Sequence, residues 1–254
     1  MTTDESDLLV ALPKSGRVFT ITRRVSVDDA APDGRMQFDA IARFLQDAGN
    51  DDTDDVGLDT LGLTWIARRL IIEIHEHARS RELLTLRTWC SGTGKRWAER
   101  RTELTGDRGA HVECAAIWVH IDARTGRIAP WNDAFGAAYL EAADGRKVDT
   151  RLHHSKDVPD LGAPGVNEMS FRFRTSDMDA FEHVNNTAYL AVLEEAFGLH
   201  RPPAPLRVEI EWRKPSEAGE ELMVVEHVDE SGAQLWISSA ETNELRATIA
   251  IRPL

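Results

Sequence analysis

The pattern that most constrains this chain is a helix that occurs twice. Ile41, Phe44, Leu45 and Ala48 recur at i, i+3, i+4 and i+7 and make one apolar helical face. Tyr189, Val192, Leu193, Ala196 and Phe197 make the same face again. The stretch Met36–Ala48 lies 148 residues before Val184–Ala196, with Ile41 over Tyr189, Leu45 over Leu193 and Ala48 over Ala196. A single amphipathic helix cannot bury its face alone, so each copy needs a sheet to pack on. Strand-like segments supply one. Arg17–Val27 precedes the first helix, and the run Asn50–Asp55 is read as breaking it. Segments near Trp65–Ile74, Glu82–Cys90, Arg96–Leu104 and Val112–Ile121 follow, β-branched or aromatic-rich and divided by Gly or charged turns. The order restarts with Met169–Thr175, the second helix, and strands at Leu206–Arg213, Glu221–Val228, Gln234–Ser239 and Glu244–Ile251. The chain thus reads β-α-β-β-β-β twice, an α+β fold. The first unit is placed at 17–132 and the second at 168–254. Between them 133–167, with Gly145, Pro159, Gly162, Pro164 and Gly165, reads as a linker. Residues 1 to 16 read as a loosely ordered lead-in.

Charge excludes some functions. A net charge of −13 over 254 residues argues against a general nucleic-acid binder. The charge is uneven: Trp65 to Arg108 holds ten Lys/Arg against six Asp/Glu. Arg68, Arg69, Lys95, Arg96, Arg100 and Arg101 are therefore a candidate docking surface for an anionic partner, with solvated strand faces as the plainer explanation. Cys90 and Cys114 fit no metal pattern and sit in apolar runs, so they read as buried free thiols in a reducing compartment. The longest early apolar run, Leu8–Leu12, is too short for a signal or a span. The expectation is a cytoplasmic protein without membrane insertion, as a monomer or a homodimer. His153-His154 lie in the linker without carboxylates at metal spacing, so no metal site is expected.

The segment before the second helix, Asp177-Met178-Asp179-Ala180-Phe181-Glu182-His183-Val184-Asn185-Asn186-Thr187-Ala188-Tyr189, packs carboxylates, an imidazole and amides into one loop. It resembles the D-x-D-x-x-x-H-V-N-N-x-x-Y signature of hotdog-fold acyl-thioesterases. In the first half, Trp65–Ile74 and Leu86–Gly92, followed by Arg100-Arg101 and Ala116–Val119, look like strands of plant and bacterial acyl-acyl carrier protein (acyl-ACP) thioesterases. The resemblance covers about residues 17–252 and implies two tandem hotdog domains, each an antiparallel sheet wrapped around a helix. It also implies a fatty-acid-releasing hydrolase of lipid metabolism that needs no cofactor. Asp179 takes the position of the base or nucleophile and His183 that of the motif histidine. Two positions depart. Phe181 stands where the plant enzymes carry Asn, and their Glu-Cys pair falls on Pro215-Ser216, with Glu217 one residue further as the doubtful catalytic carboxylate.

A thioester needs a nucleophile and donors for the tetrahedral oxyanion. Asp179 can activate water or attack directly; Asp177 reads rather as a capping residue. His183 either orients water and polarises the carbonyl or simply packs in the loop. Backbone amides around His183, Val184 and Asn185 are the expected oxyanion donors, with Asn185 and Asn186 as N-cap and turn residues. Ala31 falls at the position of Asp179 in the first half, which marks that half as non-catalytic, shaping an acyl pocket or a partner face. The residues leave CoA and carrier protein both open as thiol carriers. One rival is a non-catalytic acyl-thioester-binding protein on the same scaffold. Another is a hotdog dehydratase or hydratase, which the missing G-D-x-N-P-x-H-like motif disfavours.

Overall fold

The structure, a computed structural model, describes residues 9–58, 63–122, 124–180, 182–198 and 200–254. The elements are β1 (Phe19–Arg24), α1 (Phe38–Asp55), β2 (Leu63–Glu76), β3 (Leu83–Thr93), β4 (Trp97–Gly106), β5 (His111–Asp122), β6 (Arg127–Ile128), α2 (Asp133–Ala143), β7 (Val166–Arg172), α3 (Ala191–Phe197), β8 (Leu206–Trp212), β9 (Glu221–Asp229), β10 (Gly232–Ser239) and β11 (Leu245–Pro253). A 3-10 turn, Asn186–Leu190, leads directly into α3. The strands form one sheet in the order β1-β3-β4-β5-β2-β8-β11-β10-β9-β7, with β6 beside β5. The second half therefore repeats the first in mirror order. The halves meet edge to edge where β2 pairs antiparallel with β8, from Arg69 opposite Glu211 to Ile74 opposite Leu206. That seam removes two sheet edges from solvent.

Strand alternation sends Leu70, Ile72 and Ile74 of β2 and Val208 and Ile210 of β8 to one face, where α1 and α3 cover them in one continuous core. Phe38, Ile41, Phe44, Leu45 and Ala48 of α1, and Val192 and Leu193 of α3, are the helix side of that core. Burying each such Leu or Ile stabilises by about 1.5–3 kcal/mol.

Three expectations change here. The Asn50–Asp55 run does not break the first helix, which continues to Asp55. Fully buried Asp52 bonds Arg17 at 2.6 Å and Arg100 at 2.5 Å, and Asp55 bonds Arg17, so tertiary ion pairs outweigh the poor helix propensity of the Asp/Asn cluster. The linker is not structureless either, because it opens with α2. The Asn132 side chain caps that helix at Phe135 N–H, and Phe135, Tyr139 and Ala143 pack on Cys90 and Ala98. Its later part crosses the outer face of the sheet, where the His153 and His154 amides donate to the buried Glu211 carboxylate. Residues 1–8 of the lead-in lie outside the described residues; the rest is tied down at Val10, whose carbonyl accepts from buried Arg101 at 3.0 Å.

Candidate active site

The loop before the second helix is a closed turn. Met178 bridges Val184, Asp179 N–H donates to the His183 carbonyl at 2.8 Å, Glu182 N–H to the Asp179 carbonyl at 3.1 Å, and Asn185 N–H to the Asp177 carbonyl at 2.8 Å. The first half builds the same turn 148 residues earlier. Ala30 bridges Met36, Ala31 N–H donates to the Arg35 carbonyl at 2.9 Å, Gly34 N–H to the Ala31 carbonyl at 2.8 Å, and Gln37 N–H to the Asp29 carbonyl at 2.9 Å. The entry cap repeats too: the Asp29 carboxylate accepts from Ser26 N–H, and that of Asp177 from Arg174 N–H. Asp177 is thus a capping residue, shared by both turns.

The two turns differ in side chains. Asp179 replaces Ala31, so the backbone of this turn forms without a carboxylate there. His183 replaces Arg35, Asn186 replaces Phe38, and Glu182 replaces Gly34. Glu182 holds a φ of 63°, matching the 82° of Gly34. A left-handed residue with a side chain stores strain that glycine avoids. Glu182→Gly is expected to keep or raise the melting temperature (Tm). Glu182→Val should lower unfolding free energy by roughly 1–2 kcal/mol, because β-branching is poorly tolerated at positive φ. Chemical denaturation of the two variants checks this.

Asp179 is half-buried and His183 is exposed, so water reaches both. The expectation for the amides needs correction. His183 N–H donates to the Asp179 carboxylate at 3.3 Å and Asn185 N–H is taken by Asp177, so neither points at a substrate. The amides of Val184 and Asn186 are used by none of these bonds. Asn185 caps as expected: its side-chain oxygen accepts from Thr187 N–H at 3.0 Å and from its hydroxyl at 2.9 Å. Phe181 lies outside the described residues. Pro215 is exposed, while Ser216 is buried and donates its amide to the Tyr189 hydroxyl at 2.9 Å. Glu217 is exposed, and its amide and carbonyl bond Glu220 within the β8–β9 turn.

The basic cluster does not make one surface. Successive residues of a strand face opposite sides. Arg100 turns in to Asp52, whereas Arg101, 1% exposed, turns out to the Cys114 carbonyl and the Glu113 carboxylate. Arg69 is buried against β8, and Arg68 donates to the Trp212 carbonyl. Lys95 and Arg96, in the β3–β4 turn, are exposed. The premise about the linker histidines is also overturned, because folding gives His154 two carboxylate neighbours, Glu209 and Glu211. Arg207 and Arg213 already lie against these carboxylates.

Sequence reasoning missed a contact between the halves. Glu194 of α3 accepts from Phe38 N–H at 2.9 Å, the first turn of α1. Buried Arg201 pairs with Glu194 at 3.2 Å, donates to the Met36 carbonyl at 3.0 Å and stacks over the Phe38 ring at 4.6 Å. Arg35 donates back to the Pro202 carbonyl at 2.8 Å and lies 3.4 Å from His77 Nε2. Burial, helped by Arg35 and Arg201, pushes His77 down to about 4. An unfolded His77 takes its proton near 6.5, so between the two values the unfolded chain binds more protons. Stability is expected to fall by up to about 3 kcal/mol as pH drops through that window. His77→Gln should flatten this acid limb in denaturation curves recorded from pH 7 to 4.

The architecture is that of hotdog-type thioesterase structures. It superposes on an acyl-ACP thioesterase from Bacteroides thetaiotaomicron with a TM-score of 0.73 at 17% identity, covering 92% of this chain and 97% of that one. The 12:0-ACP thioesterase from Umbellularia californica gives a TM-score of 0.74 at 18% identity, with 92% and 96% covered. The chain belongs to the acyl-ACP thioesterase family and is a thioester hydrolase: the family's N-terminal domain model matches residues 16–139 and its C-terminal domain model matches residues 165–251. It is 29% identical over 219 residues to an uncharacterized protein of Mycobacterium tuberculosis, with 85% of each chain covered. It is 25% identical over 177 residues to the chloroplastic oleoyl-acyl carrier protein thioesterase 1 of Arabidopsis thaliana, covering 61% of this chain and 48% of the plant protein.

Proposed function

We propose that the chain is a tandem of two hotdog domains, 17–132 and 168–254, whose second domain hydrolyses fatty acyl thioesters carried by acyl carrier protein. The observation that carries this reading is the repeated turn: the same backbone bonds hold Ala31 in one half and Asp179 in the other. Asp179 removes a proton from water, which attacks the thioester carbonyl; or Asp179 attacks that carbonyl itself, and water then hydrolyses the resulting mixed anhydride to free the fatty acid and restore the carboxylate. The oxyanion would sit on amides that the turn leaves unused, those of Val184 and Asn186. The exposed His183 imidazole orients the water. Collapse of the tetrahedral intermediate breaks the C–S bond, and the thiolate leaves and takes up a proton. Released fatty acid feeds lipid metabolism. Buried free Cys90 and Cys114 suit a reducing cytoplasm; burial pushes the Cys90 thiol up to about 11. Among the described residues no helix is long and apolar enough to cross a membrane.

Free-thiol release from a panel of acyl-ACP and acyl-CoA substrates tests this reading. Turnover with acyl-ACP is expected. Tight acyl-thioester binding without thiol release would instead favour the non-catalytic alternative, which Phe181 and Pro215-Ser216 support. For docking the reading keeps Lys95 and Arg96. Reversing both charges should raise KM for acyl-ACP at low ionic strength and matter little at high salt, since exposed charges steer acidic partners over a salt-screened range. An unchanged KM at low salt would remove them from the docking face.

A further inference from the structure

The 148-residue repeat exchanges two contacts between the halves. Phe38 maps onto Asn186, and Glu194 maps onto Gln46. In the first contact the Glu194 carboxylate holds the Phe38 amide and Arg201 lies over the fully buried Phe38 ring. In the second, Gln46 of α1 faces Asn186 and Thr187 across a narrow pocket whose other walls include Leu45, Trp118 and Trp212. Gln46 is half-buried within α1, and among the described residues its carboxamide makes no hydrogen bond. Among the described residues the same place in the fold is therefore bridged by a hydrogen bond in one half and lines a pocket in the half that carries Asp179.

We propose that Gln46 is a substrate-positioning residue contributed by the first domain, with its neutral carboxamide bonding the acyl thioester as the chain enters this pocket. This inference rests on the thioesterase reading above. The pocket is mostly apolar, so it suits the acyl segment next to the carbonyl; of its polar side chains Thr187 already donates to Asn185, while the uncharged Gln46 carboxamide suits the neutral thioester carbonyl oxygen. A carboxylate at 46 would lack that donor. It would also draw the Asn186 amide as Glu194 draws that of Phe38, which would close the opening. A second domain alone would lack this group, so the first domain, without a carboxylate at 31, still completes the site.

The pocket walls carry no titratable group. On α1, Arg43 is held by Asp29 and Asp39, and Asp47 lies beside Arg23 and Asp51. On β2, Arg68 is held by the Trp212 carbonyl. A glutamate introduced at 46 would thus titrate largely alone, and when protonated it has the shape of glutamine.

The test is steady-state acyl-ACP hydrolysis by the full chain and by Gln46→Glu, Gln46→Ala and Asp179→Asn, with Tm for each. Gln46→Glu should lose at least tenfold in kcat/KM near neutral pH while its Tm stays level or rises. The ratio of its activity to wild type should climb as pH falls and the carboxyl is neutralised. Gln46→Ala should raise KM more than it lowers kcat, without that pH trend. If both Gln46 variants stay within twofold of wild type while Asp179→Asn is inactive, the inference is overturned and the thioesterase reading stands. If the wild type itself releases no thiol, the reading fails first. A Gln46→Glu loss that comes with a lowered Tm and no pH trend would mark position 46 as merely structural and also overturn the proposal.

Discussion

Arg201→Ala is expected to lower unfolding free energy by about 3–5 kcal/mol, because removing one partner of a buried ion pair leaves the other charge uncompensated. Arg201 is 6% exposed and stands between the halves, touching Glu194, the carbonyls of Arg35 and Met36, and the Phe38 ring. Its loss would leave Glu194 half-buried beside Asp33 and Asp39, and burial already raises the Glu194 pKa above the ordinary carboxylate range. For a chain of this size each kcal/mol moves Tm by about 2–4 °C, so the drop should be near 6–20 °C. Glu194→Gln keeps an oxygen for the Phe38 amide but leaves buried Arg201 only Asp33, at 3.8 Å, as a carboxylate partner, so it too should be clearly destabilising. Thermal unfolding followed by circular dichroism measures both. An Arg201→Ala Tm within 2 °C of wild type would mean that the halves are held by the β2–β8 seam and core alone.

How much of this was legible in the sequence depends on the range of the interaction that decides each element. Helix phase and strand alternation are local, so the two-fold element order, the buried faces of Ile41 and Tyr189 and the eight long strands after the helices could be read directly; the α-helical phase read through Tyr189 was not met, because Asn186–Leu190 is a 3-10 turn and α3 starts at Ala191. Asp177 as a cap was legible for the same reason: its bond reaches only to Arg174. The failures lie where distant residues override local preference. Asp52 reads as a helix breaker until Arg17 and Arg100 arrive from 35 and 48 residues away. Helix α2 was hidden by its low amphipathic contrast and by Gly136, although Asn132 three residues before Phe135 was an N-cap signal. The basic cluster misled because a run of Arg gives charge but not facing; Arg100 and Arg101, adjacent in β4, end on opposite sides of the sheet. At the site, the motif named Asp179 and His183, but the amides of His183 and Asn185 were already committed to closing the turn. Glu194 and Gln46 carry no local signal, and only the repeat, laid onto the contacts between helices, brings them out.

In the proposed mechanism one carboxylate distinguishes a working turn from its silent copy. Asp179→Asn preserves size and can still accept the His183 amide, so the turn should persist, as it does around Ala31 in the first half. In the proposed mechanism it loses the general base or nucleophile, a contribution typically of about 10²–10⁴-fold. Measured as single-turnover thiol release from acyl-ACP, Asp179→Asn should be slower than wild type by at least about 10²-fold, with Tm unchanged within a degree or two. Asp177→Asn should be only mildly slower, and Ala31→Asp should neither add a second activity to wild type nor rescue Asp179→Asn. Near wild-type release with Asn at 179 would contradict the account and move the search for the reacting carboxylate to Glu217.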